Sequence, residues 1–135
     1  MSLSEQQAAE LSPLVLAYVG DAVWELFVRS ELVAEHGAGS RASELHGLAK
    51  QAVNAGSQSA MVQRLLDHLA DDERDVVRRG RNARPGHTSK ASGPIDYRHA
   101  TGFEALLGHL YLTGQAGRLG EVLDAAKAIV EDAGE

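Results

Sequence analysis

The sequence predicts an all-α fold, and three observations carry that expectation. No window sustains the period-two alternation of apolar and polar residues that a half-buried strand shows. The apolar stretches are instead punctuated by helix signals, namely Ser12-Pro13, Gly37-Ala38-Gly39 and Gly114. The composition, 44% hydrophobic and 24% charged over 135 residues, is that of one globular domain, 1–135, with enough chain for a core of its own.

The elements follow in order. Ser12 is a natural N-cap and Pro13 a natural first-turn residue, so a first helix runs from there to about Ala34. Ser40 is set to cap a second helix reaching about Ala55, and Ser57 a third reaching about Leu69. Asp71-Asp72-Glu73 opens a fourth and Arg78-Arg79 closes it, the charge order a helix dipole favours. Asn82 to Pro94, rich in Gly, Pro, Ser and Thr, reads as an exposed loop. A fifth helix runs from about Tyr97 or Arg98 to Thr113, with Gly114 as its stop, and a sixth from about Arg118 to Asp132.

Several function classes drop out on composition. The chain has no cysteine, which excludes a disulfide scaffold, a thiol nucleophile and cysteine-ligated zinc, and fits a reducing compartment. The longest strictly apolar run, Leu14–Val19, is too short to span a bilayer, and the N-terminal stretch has no signal-peptide pattern, so no membrane role and a cytoplasmic location are expected.

The net charge of −6 hides an uneven distribution. From Val76 to Ile95 there is no acidic residue, and Arg78, Arg79, Arg81, Arg84 and Lys90 supply five of the 13 cations. Screening acts over about 8 Å at physiological salt, so a local basic segment can hold a polyanion on an acidic protein. The loop spanning Arg78–Lys90 is therefore the candidate phosphate-binding arm, since guanidinium forks suit phosphate oxygens.

The residues most out of place are acids. The first helix reads LVLAYVGDAVWELFV from Leu14 to Val28, where only Gly20, Asp21 and Glu25 are not apolar. A helix apolar on all sides is normally buried on all sides, which leaves Asp21 no watery face. The fifth helix reads ATGFEALLGHLYL from Ala100 to Leu112, with Glu104 as its one formal charge. A buried, unpaired carboxylate costs several kcal/mol, so each must be neutralised, hydrogen-bonded, salt-bridged or bound to a metal. Two such acids on two helices suit one hard cation such as Mg²⁺; the competing explanation is structural pairing with Arg29 or Arg98. Trp24, Phe27, Phe103 and Tyr111 read as core or dimer packing, and no aromatic row resembles a base-stacking platform.

Tyr18-Val19-Gly20-Asp21-Ala22-Val23 resembles the signature of ribonuclease III catalytic domains, and Phe103-Glu104-Ala105-Leu106-Leu107-Gly108 resembles their second acidic motif. With Arg29, Leu45-His46, Arg79-Gly80-Arg81-Asn82-Ala83, Tyr97-Arg98 and Thr101, the pattern is most similar to the mini-ribonuclease III family, a catalytic domain without a double-stranded-RNA-binding domain. The resemblance implies the all-helical ribonuclease III fold, a homodimer, and Mg²⁺-dependent cleavage of double-stranded RNA, with Mn²⁺ able to substitute. It implies a precursor of the large-subunit (23S) ribosomal RNA as substrate, and products with 5′-phosphate and 3′-hydroxyl ends. Asp21 and Glu104 fall on the family's catalytic, metal-binding carboxylates. Arg78, Arg79, Arg81, Asn82, Arg84, Lys90, Arg98 and His46 are the candidate RNA contacts. Full-length ribonucleases III carry further acids where this chain has Leu14, Ala17 and Thr101, a reduced set that mini-ribonucleases III share. Glu25 is expected to form a local ion pair or hydrogen bond. The alternative function is a non-catalytic RNA- or ribosome-binding module on the same fold.

Overall fold

The structure, a computed structural model, describes residues 2–52, 55–83 and 93–133. Among them there are seven α-helices and no strand: α1 (Glu5–Ala9), α2 (Pro13–His36), α3 (Ala42–Ala52), α4 (Ala55–Leu65), α5 (Asp71–Asn82), α6 (Gly93–Leu112) and α7 (Ala116–Ala133). A 3₁₀ turn, Leu66–His68, follows α4.

The strongest local signals act as expected. Ser12 caps α2, its Oγ accepting the Leu14 N–H at 3.1 Å, with Pro13 in the first turn. Gly114, at φ 73°, ends α6. Its own N–H reaches the Tyr111 carbonyl at 3.1 Å and the next N–H, of Gln115, returns to Leu110 at 2.9 Å.

One helix and several boundaries differ from the expectation. Helix α1 was not anticipated; a capping box closes it, the Gln7 N–H donating to Ser4 Oγ and the Ser4 N–H to Gln7 Oε1. Ser40 does not open the next helix as expected, since its hydroxyl donates back to the His36 carbonyl at 3.1 Å. Helix α4 starts before Ser57 and tightens into the 3₁₀ turn instead of continuing to Leu69. Helix α5 runs past Arg78-Arg79 to Asn82, and α6 begins at Gly93, so the expected loop is helical at both ends. Its remaining part, 84–92, lies outside the described residues.

Helix α6 is the axis of the core. Phe103, Ala105, Leu106, Leu107 and Leu110 are all essentially inaccessible, and α2, α5 and α4 pack around them. Trp24 of α2 meets Phe103 edge-on at 5.1 Å between ring centres. Arg118 of α7 ties that helix to α5, its Nε and Nη2 each donating to the buried Glu73 carboxylate at 2.7 Å. This pairing holds the Glu73 carboxyl below its usual range. No helix among the described residues is long and apolar enough to cross a membrane.

Helix α2 is not buried on all sides. Leu16, Ala17, Gly20, Trp24 and Val28 face the core, while Val15, Tyr18, Leu26 and Val33 stand exposed on another face. Helix α6 packs along one side of α2, and α3 and α5 add smaller contacts, which leaves the other face open.

Candidate active site

The site begins with the way α2 and α6 cross. They run antiparallel, with Gly20 against the backbone of Glu104 and Gly108 against that of Leu16. A Cβ on Gly20 would stand 1.6 Å from the Glu104 carbonyl oxygen, and one on Gly108 would stand 1.9 Å from that of Leu16. Each helix thus gives up a side chain where the other's backbone passes. Gly80 of α5 and Gly102 of α6 make a similar approach on the far side. The result fixes Asp21, the residue after Gly20, beside Glu104.

Their carboxyl groups lie within hydrogen-bonding reach of each other in a cleft of about 330 Å³. Among the described residues, Leu14, Ala17, Tyr18, Tyr97 and Thr101 also line it. Glu104 is half-buried. Burial pushes its carboxyl up to about 9, and the facing Asp21 carboxylate and the more distant Glu25 add to the rise. Asp21, expected to be sunk among apolar side chains, is exposed. It sits at the margin of the strip that α6 covers, with the uncovered face of α2 beginning next to it.

Among the described residues neither acid forms an ion pair, which removes the structural-pairing explanation. Arg29 is engaged elsewhere: its Nη2 lies 3.3 Å from Glu25 Oε1, the local ion pair expected for Glu25. Two uncompensated carboxyls in an open, water-accessible cleft are a donor set suited to a hard cation. Such an ion would relieve the repulsion that raises Glu104, and water would fill its remaining positions.

Among the described residues the candidate RNA contacts fall in more than one place. Arg84 and Lys90 lie outside the described residues. Because α5 continues to Asn82, Arg78, Arg81 and Asn82 share one face of the helix at three- and four-residue spacing, and Arg79 points away from it. Arg78 is paired with Asp75. Arg79 is half-buried in a depression with Glu5, Asp72, Glu73 and His109. Arg81 and Asn82 are exposed, with the Arg81 backbone close to Gly102 at the flank of α6. Arg98 is exposed next to Tyr97, a wall of the cleft. His46 is exposed in a separate depression with Arg29, Val33 and Ser43, which shares no lining residue with the carboxylate cleft.

The sequence reading missed the role of Gly20 and Gly108. The available signal was a glycine inside each of two long helical segments, beside an acid in one and four residues after it in the other.

The fold and the paired acids define a ribonuclease III domain, the family description that matches residues 14–115. Proteins described as mini-ribonuclease 3 are similar over nearly the whole chain. That of Symbiobacterium thermophilum is 50% identical, covering 90% of this chain and 92% of the relative. That of Brevibacillus brevis is 44% identical, covering 89% and 88%. A crystal structure of a Fusobacterium nucleatum protein superposes with a TM-score of 0.73 at 27% identity, covering 85% of this chain and 90% of that one. The chain belongs to the mini-ribonuclease 3 branch of the ribonuclease III family of endoribonucleases.

Proposed function

We propose that this chain is a Mg²⁺-dependent endoribonuclease that cleaves double-stranded RNA at the Asp21–Glu104 cleft. The observation that carries the reading is the pair itself: two carboxyls from different helices, within hydrogen-bonding reach of each other, with no cationic side chain among the described residues that line the water-accessible cleft.

Asp21 and Glu104 would hold the cation, directly or through water. Bound there, Mg²⁺ supplies an acidified water and charge stabilisation at a phosphoryl oxygen, and Mn²⁺ serves the same chemistry. The chain's residues do the rest. The Gly20–Glu104 contact fixes the distance between the two acids. Thr101, whose hydroxyl donates to the Tyr97 carbonyl at 2.8 Å, stiffens the turns of α6 leading to Glu104. Arg81, Asn82 and Arg98 extend the contact along the duplex, which proteins read by shape, phosphates and 2′-hydroxyls. Cleavage leaves 5′-phosphate and 3′-hydroxyl ends.

The working form is a homodimer. Val15, Tyr18, Ala22 and Leu26 recur at three- and four-residue steps along the uncovered face of α2, with Val33 two turns further on, an apolar strip that a second copy would cover around a two-fold axis. Two clefts related in this way suit the two strands of a duplex. A precursor of 23S ribosomal RNA in the cytoplasm is the substrate that the family resemblance favours.

The test is to incubate a paired RNA with the protein in Mg²⁺ or in EDTA, and to follow cleavage and gel retardation together. Cleavage in Mg²⁺ alone, with 5′-phosphate ends, is the expected result. Retardation without cleavage in either condition would establish a binding module instead.

A further inference from the structure

A groove of about 230 Å³ runs between the second half of α2 and the C-terminal half of α7. It lies away from the exposed strip of α2. At about 100° per residue, Trp24, Phe27 and Val28 fall roughly half a turn around the helix from Tyr18, Ala22 and Leu26. Trp24 and Val28 are buried in its floor, Phe27 and Leu32 are half-buried beside them, and Val130 of α7 is exposed. The rim is acidic. Glu31 and Glu35 of α2 and Glu131 of α7 line it with one cation, Lys127, which is paired with Glu31 and lies 3.8 Å from Glu131. Three carboxylates against one ammonium leave an excess of negative charge among the described residues, and Glu35 forms no ion pair among them.

We propose that this groove docks a basic amphipathic segment of a partner protein. The segment's apolar face covers Phe27, Leu32 and Val130, and its lysines or arginines meet Glu35 and Glu131.

Three observations choose this occupant. Carboxylates flanking an apolar floor complement a helix that carries cations beside its apolar anchors. The same carboxylates would repel the phosphates of RNA, so the groove is no extension of the nucleic-acid surface. A second copy of the chain seated here around a two-fold axis would set Glu35 and Glu131 against their own counterparts. The Trp24 Nε1–H is buried in the floor without an acceptor among the described residues, a costly state for a donor. A peptide brings carbonyl oxygens that can relieve it, along with its apolar and cationic side chains. The groove shares no lining residue with the carboxylate cleft, so a partner bound here leaves that cleft open to RNA.

Trp24 is the chain's one tryptophan, so intrinsic fluorescence reports on the groove directly. The probe is a short amphipathic helical peptide of leucine and lysine, titrated into the full chain, with a leucine–glutamate peptide of the same pattern as its counterpart. The leucine–lysine peptide should shift the Trp24 emission saturably, and the leucine–glutamate peptide should not. Glu35→Lys combined with Glu131→Lys should weaken the binding by about tenfold or more. Glu10→Lys, an exposed acid at the end of α1 and outside the groove lining, should leave it unchanged. All variants are compared at equal circular dichroism. No saturable shift with the leucine–lysine peptide, or an equal shift with both peptides, would overturn the proposal. Equal weakening by Glu10→Lys would also overturn it, by showing attraction to the net charge instead of to the groove. Loss of self-association in Val130→Glu, while Leu26→Glu stays associated, would overturn it in favour of a second copy as the occupant.

Discussion

Gly20 and Glu104 are joined backbone to backbone: a methyl group on Gly20 would come within 1.6 Å of the Glu104 carbonyl oxygen. The obstacle is main chain of a buried helix and cannot rotate away, so Gly20→Ala must push α2 from α6. Such overpacking costs about 3 kcal/mol. A displacement near 1 Å between the two acids costs about a hundredfold in rate. Gly20→Ala should lower the denaturation midpoint and cut cleavage by at least that factor even at temperatures where the protein stays folded. Normal turnover in a folded Gly20→Ala protein would show that this contact does not set the site.

The raised Glu104 carboxyl makes the metal-free protein sensitive to pH. An acid with an ordinary value of 4.5 and a folded value of about 9 binds more protons folded than unfolded between those limits. Stability therefore falls as pH rises through that window. Glu104→Gln removes the penalty, and it should melt at a higher temperature than wild type at pH 8 without metal, although it cleaves no RNA. Mg²⁺ needs the deprotonated acid and releases its proton on binding. Its stabilisation of wild type in thermal melts should accordingly be larger at pH 9 than at pH 6 and absent in Glu104→Gln.

The exposed strip on α2 yields a test of assembly. Leu26 is 68% exposed, so Leu26→Glu leaves the fold of the chain intact. A charge in the middle of an apolar two-fold contact occurs twice, once from each copy. Sedimentation should show wild type as a dimer and Leu26→Glu as a monomer with the same circular dichroism. A dimeric Leu26→Glu protein would place the contact elsewhere.

Among the cations, Arg81 and Arg98 are exposed at the flank of and on α6 and form no ion pair among the described residues, whereas Arg78 is tied to Asp75. Alanine at Arg81 or Arg98 should each reduce the slope of log affinity against log salt by about one. Alanine at Arg78 should change it less. Equal effects at all three would mean that Asp75 releases Arg78 when RNA binds.

Much of this molecule can be read from the chain, and the failures have physical causes. Ser12-Pro13 and Gly114 act locally, through hydrogen bonds within a few residues, and they fixed their helix ends as expected. Asp21 and Glu104 stood out because acids are rare in apolar helices, and they do meet. The burial of Asp21 was misjudged because an apolar helix face looks the same whether another part of the chain or a second copy covers it. The end of α5 lies beyond Arg78-Arg79 because Arg78, Arg79 and Arg81 are good helix formers and carry the helix on to Asn82. His46 lies in its own depression because its helix, α3, packs against a later part of α2 than the cleft. The backbone contact of Gly20 left no trace in hydropathy, since a glycine at a close crossing and a glycine in a loose helix read alike.

The most direct test is single-turnover cleavage of a paired RNA in saturating Mg²⁺ by wild type and by Asp21→Asn, both shown to be folded and of the same oligomeric state. The account predicts that Asp21→Asn binds the RNA with near-normal affinity and cleaves it at least a thousandfold more slowly, about 4 kcal/mol of lost barrier reduction. Cleavage by Asp21→Asn at a rate close to wild type would contradict it, because the reaction would then be proceeding without the carboxylate that Gly20 holds against α6.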